Sequence, residues 1–195
     1  MSLQKVIKKV VLFLAIAMCV SLVIVTTNAA TNYSQNWSNG KGKVNYQNLS
    51  GGHFKVSWSN VGDFVCGKGY NPSGTRTMSW SGSASNAQYF GVYGWLTNPL
   101  VEYYIGRSGG SKVGTYSTSK GTYTLYVTSV TGPSIQGNTT FKQYNANGNK
   151  GSGINLAEHF NGWKKLGQKV GNTNYCIVSV EGWGGGSGSA DVTVN

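Results

Sequence analysis

Apolar residues recur at every second position through most of this chain. Phe54, Val56 and Trp58 alternate with polar residues, and the same spacing recurs at 123–127 and 192–194. A period of two places the apolar side chains on one face of a β-strand. Clusters of Gly, Asn and Ser separate these segments, at 50–52, 71–74 and 109–111. Many short strands joined by turns predict an all-β sandwich or jelly roll.

One segment departs from this alternation. Apolar residues between Leu156 and Leu166 fall at helical spacing, and Asn155 stands at the position of a helix cap. Glu158, three residues later, completes a capping-box pattern, and Gly167 supplies a stop signal. We therefore expect one short α-helix, in which Glu158 has a structural role.

The first thirty residues have the pattern of a targeting segment. Three lysines precede an apolar stretch at 10–25, and small residues follow at 27–30. This order is typical of a secretory signal peptide, although an uncleaved anchor is the alternative because the apolar stretch is slightly long. We predict a signal peptide at 1–30 and one domain at 31–195, secreted to an extracellular location.

The basic charge of the chain does not by itself identify a partner. Removing the three lysines of the predicted signal peptide lowers the formal net charge from +11 to +8. The remaining lysines are scattered rather than clustered, which argues against a nucleic-acid surface. We expect a monomer that does not contact the membrane after cleavage.

Two cysteines remain in the predicted domain, Cys66 and Cys176. In a secreted protein such a pair is a candidate disulfide, and two buried free thiols are the alternative. The two histidines, His53 and His159, do not have the spacing of metal ligands relative to the cysteines. We expect neither a metal site nor a cofactor.

The chain has only five carboxylates, so each one can be considered individually. Glu102 lies in the strand-like NPLVEYYI, and Glu181 ends the apolar run CIVSVEGWG. Asp191 follows a Gly/Ser turn and is expected to face water. Glu102 and Glu181 are the candidates for acid/base chemistry.

The six Trp and twelve Tyr residues exceed what a core of this size needs. Their flat apolar faces and polar tips suit stacking on sugar rings, although aromatic residues also favour strands for their own packing. Taken together they favour a carbohydrate-binding cleft.

Four strings occur in a specific order: YGWLTNPLVEYYI, GPSIQG, TFKQY and, after the helix, VEGW. In this order, and with QNW, VGDFVCGKGY and HFNGWKKLG beside them, they resemble the glycoside hydrolase family 11 endo-β-1,4-xylanases over residues 33 to 194. The resemblance implies a β-jelly roll of two twisted antiparallel sheets with one short helix, and a substrate of xylan or xylo-oligosaccharide.

The resemblance also implies roles for the two glutamates. Glu102 occupies the place of the nucleophile, and Glu181 that of the acid/base. A retaining glycosidase needs this combination, an ionised carboxylate that attacks the anomeric carbon and a protonated carboxyl that assists departure. Further positions match residues of the family's substrate cleft and thumb hairpin: Trp37, Tyr89, Tyr93, Tyr104, Pro133, Ser134, Ile135, Gln143 and Tyr175.

Asp63 stands where the family has either Asn or Asp beside the acid/base, and Asp resembles the acid-active members. A second carboxyl that is hydrogen-bonded to Glu181 would share a proton with it, so we expect an acidic pH optimum. Strand parity places Cys66 and Cys176 away from the cleft if Asp63 and Glu181 face into it. A Cys66–Cys176 bridge between neighbouring strands is the corresponding hypothesis.

Several positions differ from the family pattern. Asn145 replaces a tryptophan, Trp183 a tyrosine and Thr97 an arginine, the thumb arginine is missing from 129–131, and the segment 106–121 is short. None removes a catalytic carboxylate. The sequence therefore predicts a secreted, retaining endo-1,4-β-xylanase. A non-catalytic xylan-binding jelly roll and a jelly-roll glucan hydrolase are the alternatives.

Overall fold

A computed structural model describes residues 30–195 of the chain. The predicted signal peptide lies, apart from Ala30, outside the described residues. The described part contains fourteen strands and one helix. Their bounds are β1 Tyr33–Asn39, β2 Lys43–Asn48, β3 His53–Ser59, β4 Asp63–Tyr70, β5 Thr77–Met78, β6 Trp80–Ser85, β7 Tyr89–Thr97, β8 Val101–Ile105, β9 Ser111–Thr118, β10 Gly121–Gly132, β11 Thr139–Asn147, β12 Ile154–Asn155, α1 Leu156–Lys165, β13 Asn172–Trp183 and β14 Gly188–Val194.

The strands form two main sheets. Eight strands pair in the order β1-β4-β13-β7-β8-β11-β10-β9, and four pair in the order β2-β3-β14-β6. Neighbours within both sheets are antiparallel except β8 and β11, which run parallel, and β5 pairs separately with β12. The predicted fold class, an all-β jelly roll with one short helix, is confirmed. The parallel pair and the small β5–β12 sheet are details that the prediction lacked.

The apolar positions with a period of two face a core shared by the two sheets. Phe54, Val56 and Trp58 of β3 are at most 4% exposed, and they belong to one packed cluster with Phe64 of β4 and Val178 of β13. Because side chains alternate along a strand, the other face of the eight-stranded sheet is free to build a site.

Helix α1 begins and ends as the sequence predicts. The side chain of Asn155 accepts a hydrogen bond from the backbone N–H of Ala157 at 2.9 Å, and Gly167 follows the helix with a φ of +77°. The capping-box role of Glu158 differs from the prediction. Its carboxylate accepts hydrogen bonds from the backbone N–H and the hydroxyl of Ser119, at 3.0 and 2.8 Å, and so ties the helix to the turn after β9.

A buried polar chain connects α1 to β9. Trp163 Nε1 donates to the hydroxyl of Tyr116 at 2.9 Å, and that hydroxyl lies 2.6 Å from His159 Nδ1. His159 is 1% exposed, and burial lowers its pKa to about 4. The imidazole is therefore neutral, so Nδ1 can accept the hydroxyl proton.

The cysteine hypothesis requires a correction. Both thiols are free and buried in the core, so their predicted direction away from the cleft is right. The register, however, places Cys66 opposite Val180 and Cys176 opposite Tyr70. Four residues along a strand span about 13 Å, whereas a disulfide needs Cα atoms within about 7 Å. A Cys66–Cys176 bridge is therefore wrong for this fold.

Asp191 is exposed, as expected, and forms a salt bridge with Lys55 at 2.9 Å and a hydrogen bond with His53 at 2.6 Å. Within residues 30–195 no helix is long and apolar enough to cross a membrane. The same residues contain no group of three His, Cys, Asp or Glu side chains that could hold a metal ion.

Candidate active site

The two candidate glutamates lie on the middle strands of the large sheet. Glu102 of β8 pairs with Trp95 of β7 on one side and with Gln143 of β11 on the other. Glu181 of β13 pairs with Tyr89 of β7 and Val65 of β4. Both side chains point away from the core into a cleft of about 650 Å³.

The cleft collects most of the residues that the sequence singled out. Its lining contains Trp37, Asp63, Tyr93, Glu102, Tyr104, Pro133, Ser134, Ile135, Gln143, Tyr175 and Glu181. These residues come from six strands and one turn, so the sheet, rather than sequence proximity, assembles the site. A cleft with many aromatic walls and a few convergent polar groups is typical of a ligand site.

Three hydrogen-bond donors converge on the carboxylate of Glu102. Tyr93 and Tyr104 donate from their hydroxyls to Oε1, at 2.9 and 3.2 Å, and the Gln143 amide donates to Oε2 at 2.7 Å. Trp95 Nε1 in turn donates to the Tyr93 hydroxyl at 2.7 Å, which directs the proton of Tyr93 toward Glu102. Burial raises the pKa of Glu102, and the three donors oppose that rise because they favour the ionised form.

Glu181 has a different environment. It is 4% exposed, and the Ser179 hydroxyl is its neighbour, 3.3 Å from Oε1. Burial and then the charge of Glu102 raise the pKa of Glu181 well above the ordinary value. The pKa of both glutamates is therefore raised, but the donors limit the rise at Glu102, so Glu181 is the group that keeps its proton more strongly.

Asp63 lies on the same face as Glu181, diagonally across the β4–β13 pair, because it stands opposite Trp183. It lines the cleft, and burial raises its pKa. Among the hydrogen bonds of residues 30–195, none joins Asp63 to Glu181. The charge of Asp63 contributes to the raised pKa of Glu181, after burial and the charge of Glu102.

Tyr89 does not line the cleft, contrary to the prediction. It is 5% exposed, and its hydroxyl lies 2.7 Å from the Val92 carbonyl and 2.8 Å from the Ile105 carbonyl. Its ring packs edge-on against Tyr104, with ring centres 5.0 Å apart. Tyr89 therefore supports the position of Tyr104, and its hydroxyl is occupied within the protein.

The predicted thumb tip closes the hairpin between β10 and β11. The backbones of Ser134 and Gly137 exchange two hydrogen bonds, at 3.1 and 3.2 Å, and the Ser134 hydroxyl donates to the Gly137 carbonyl at 2.7 Å. These bonds hold Pro133, Ser134 and Ile135 along one side of the cleft.

Sequence reasoning missed Arg107, the cation of the cleft wall. Its guanidinium carbon lies 4.2 Å from the centre of the Tyr104 ring and 5.6 Å from that of Trp183. Its charge lowers the pKa of Glu102 and of Glu181, against the larger effect of burial. Arg107 lies two residues after β8, in the segment 106–121 that is shorter than the family pattern. That difference from the family was the signal in the sequence that could have pointed to it.

Tyr33 was also missed. It stacks on Tyr175 with ring centres 4.7 Å apart.

Comparisons with known proteins agree with this geometry. The family model described as "Glycosyl hydrolases family 11" matches residues 29–193. A probable endo-1,4-beta-xylanase B of Aspergillus clavatus is 40% identical over 177 residues, which cover 84% of this chain and 80% of that protein. Endo-1,4-beta-xylanase 2 of Humicola insolens is 40% identical over 172 residues, covering 81% and 75%.

A solved structure has the same fold. It comes from a structural comparison of two major endo-1,4-beta-xylanases of Trichoderma reesei, and it is 38% identical with a TM-score of 0.76. The alignment covers 86% of this chain and 99% of that one. The predicted family and the predicted class of enzyme, a glycoside hydrolase, are thus confirmed: this chain belongs to glycosyl hydrolases family 11.

Proposed function

We propose that this chain is a secreted endo-1,4-β-xylanase that hydrolyses internal bonds of xylan with retention of anomeric configuration. One observation carries the proposal. Burial raises the pKa of both glutamates in the cleft, but three hydrogen bonds oppose the rise at Glu102, whereas the charge of Glu102 adds to the rise at Glu181. A nucleophile must be ionised and a general acid must be protonated, so this difference suits Glu102 to the first role and Glu181 to the second. The family and the printed names of the relatives support xylan as the substrate.

In the first half of the reaction, Glu102 attacks the anomeric carbon and Glu181 gives its proton to the departing glycosidic oxygen. The C–O bond to the leaving sugar breaks as the bond to the Glu102 carboxylate forms. Tyr93 and Tyr104 hold the Oε1 atom of Glu102, and Gln143 holds the other carboxylate oxygen, Oε2. These bonds fix the plane of the carboxylate before the attack.

In the second half, Glu181 is ionised and removes a proton from water as the water oxygen bonds to the anomeric carbon and the ester bond to Glu102 breaks. The ester neutralises Glu102, and its charge no longer raises the pKa of Glu181. That pKa therefore falls when Glu181 must act as a base. Aromatic rings on the cleft walls, among them Trp37 and Tyr175, would stack on the flanking sugars.

Asp63 provides the basis for an acidic pH optimum. Its carboxyl is on the same face as that of Glu181, and catalytic hydrogen bonds often tighten when substrate binds. A shared proton between the two groups would place the active protonation state at lower pH.

Sugar release separates this proposal from its alternatives. Reducing ends would be measured on xylan and on cellulose for the wild type, Glu102→Ala and Glu181→Gln. The wild type should act on xylan, and each variant should lose at least about 1,000-fold of that activity. Equal release by all three proteins would contradict the assignment, and release from cellulose alone would indicate a glucan hydrolase. A β-anomer as the first product by NMR would indicate retention.

Secretion and the monomeric state are part of the proposal. Secretion is supported by the pattern of residues 1–30. The protein collected from the culture medium should begin at Ala30 or Thr31, and light scattering should give the mass of a single chain. An intact N-terminus on membranes would indicate the anchor instead.

A further inference from the structure

Asn145 is buried next to the catalytic carboxylates, and the proposed mechanism does not use it. It is 0% exposed and stands on β11 two residues after Gln143, so the two amides share the cleft face. The register pairs Gln143 with Glu102 and Asn145 with Tyr104.

The amide of Asn145 has a fixed direction. Its Nδ2 donates to the backbone carbonyl of Gly109 at 2.8 Å. A carbonyl can only accept, so Nδ2 rather than Oδ1 must face Gly109. Oδ1 consequently has no partner among the described residues, although it is buried. Because Oδ1 is left unpaired at a cost in free energy, the hydrogen bonds donated by Nδ2 are the contacts that fix this side chain.

This direction is passed on to Gln143. The second proton of Asn145 Nδ2 is donated to Gln143 Oε1 at 3.1 Å. Because Oε1 is occupied as an acceptor, the Nε2 atom of Gln143 is the end that faces Glu102, at 2.7 Å from Oε2. Without Asn145 the Gln143 amide could rotate and present its oxygen to the carboxylate, which would be repulsive.

We infer that Asn145 is a positioning residue of the active site: anchored on the Gly109 carbonyl, it fixes the amide of Gln143 as a donor to the nucleophile Glu102. Two departures from the family pattern thus act together. The short segment 106–121 supplies the Gly109 carbonyl, and Asn145, which stands in place of a tryptophan, supplies the amide. The inference deepens the proposed function and rests on it for the role of Glu102.

Other groups also face Glu102 and remain unchanged in the test. The titratable and charged ones are Tyr93 on β7, Tyr104 on β8, Arg107 after β8, and Tyr175 and Glu181 on β13.

The test is Asn145→Leu, which keeps the shape and removes the donor together with the unpaired oxygen. The acid limb of the kcat/KM profile on xylan should move upward by about 0.5–1 pH unit, because the ionised nucleophile loses a fixed donor. Asn147→Leu is the matched control. Asn147 is exposed on the same strand, and this variant should leave the profile unchanged.

A double-mutant cycle separates positioning from a loss of packing. Gln143→Leu removes the donor itself, so adding Asn145→Leu to it should not shift the limb further. A shift that is equally large with and without Gln143, or no shift in Asn145→Leu, would overturn the inference. Thermal unfolding of each variant shows whether the fold is retained.

A measurement without turnover keeps the inference independent of the proposed function. NMR titration of the ¹³C-labelled side-chain carboxyl of Glu102 should show a higher pKa in Asn145→Leu than in the wild type, with no change in Asn147→Leu. If the wild type does not cleave xylan, the proposed function fails, and this titration still decides the positioning role of Asn145.

Discussion

Replacing Arg107 by Gln should move both limbs of the pH–rate profile upward. Burial is the main influence on the pKa of Glu102 and of Glu181 and raises both, while the Arg107 charge acts in the opposite direction. Removing that charge would raise the pKa of the nucleophile and of the acid together. The acid limb follows Glu102 and the alkaline limb follows Glu181, so the whole bell should shift rather than narrow.

The structure gives the size of this shift. The guanidinium carbon of Arg107 is 4.2 Å from the Tyr104 ring, and the Tyr104 hydroxyl is 3.2 Å from Glu102 Oε1. Because the guanidinium lies over the ring face, charge and carboxylate are at most roughly 8 Å apart, which corresponds to about 0.5–2 kcal/mol for effective dielectric constants between ~80 and ~20. Because Arg107 is partly exposed, the lower part of that range applies, and each limb should move by about 0.4–0.8 pH unit.

The assay is kcat/KM on xylan across pH at low and at high salt. Salt at about 1 M should move the wild-type limbs in the same direction as the substitution and should have less effect on Arg107→Gln. Arg76→Gln is the matched control. It removes the same charge from a guanidinium that lies 3.8 Å from the Tyr70 ring, outside the cleft lining. Unmoved limbs, or an equal shift in the control, would refute the electrostatic role of Arg107.

Three further predictions follow from the described residues. Asp63→Asn should move the pH optimum upward because Asp63 and Glu181 would no longer titrate as a pair that shares one proton, and an unmoved pH profile would contradict the shared proton. Thiol titration of the denatured, unreduced mature protein should find two thiols, from Cys66 and Cys176, whereas none would restore the disulfide. The folded-state pKa of His159 lies below its unfolded value of about 6.5, so its contribution to stability is complete above that value and is lost as pH falls toward about 4. Chemical denaturation should show a loss of at most about 3 kcal/mol over this range, and the loss should be smaller in His159→Phe; equal losses would exclude His159 as the cause.

The alternation of apolar residues was sufficient to predict which side chains share a face. Glu102 and Tyr104 were expected on one face because they are two residues apart, and the structure places both in the cleft. The cysteines were correctly directed to the core for the same reason. Parity depends only on spacing within one strand, and spacing is visible in the sequence.

Register and side-chain direction were not visible in this way. The pairing of β4 with β13 decides how far apart Cys66 and Cys176 lie, and a shift of four residues leaves parity unchanged while it excludes a bond. The hydroxyl of Tyr89 turns to one carbonyl of its own strand, Val92, and to one of β8, Ile105, which no local pattern reveals. Arg107 lies outside any strand, so periodicity gave no indication of its direction.

The parallel pairing of β8 with β11 has a consequence for how the enzyme is made. The chain leaves β8 at Ile105 and returns at Thr139 only after β9 and β10 have been placed beyond β11. Gln143 and Asn145 therefore reach Glu102 only when the excursion through β9 and β10 closes, as Glu181 reaches the cleft only when β13 enters between β4 and β7. A folding intermediate with the earlier strands in place would have the nucleophile without its fixed donor. Recovery of hydrolytic activity after dilution from denaturant should then lag behind recovery of sheet structure and report completion of the large sheet.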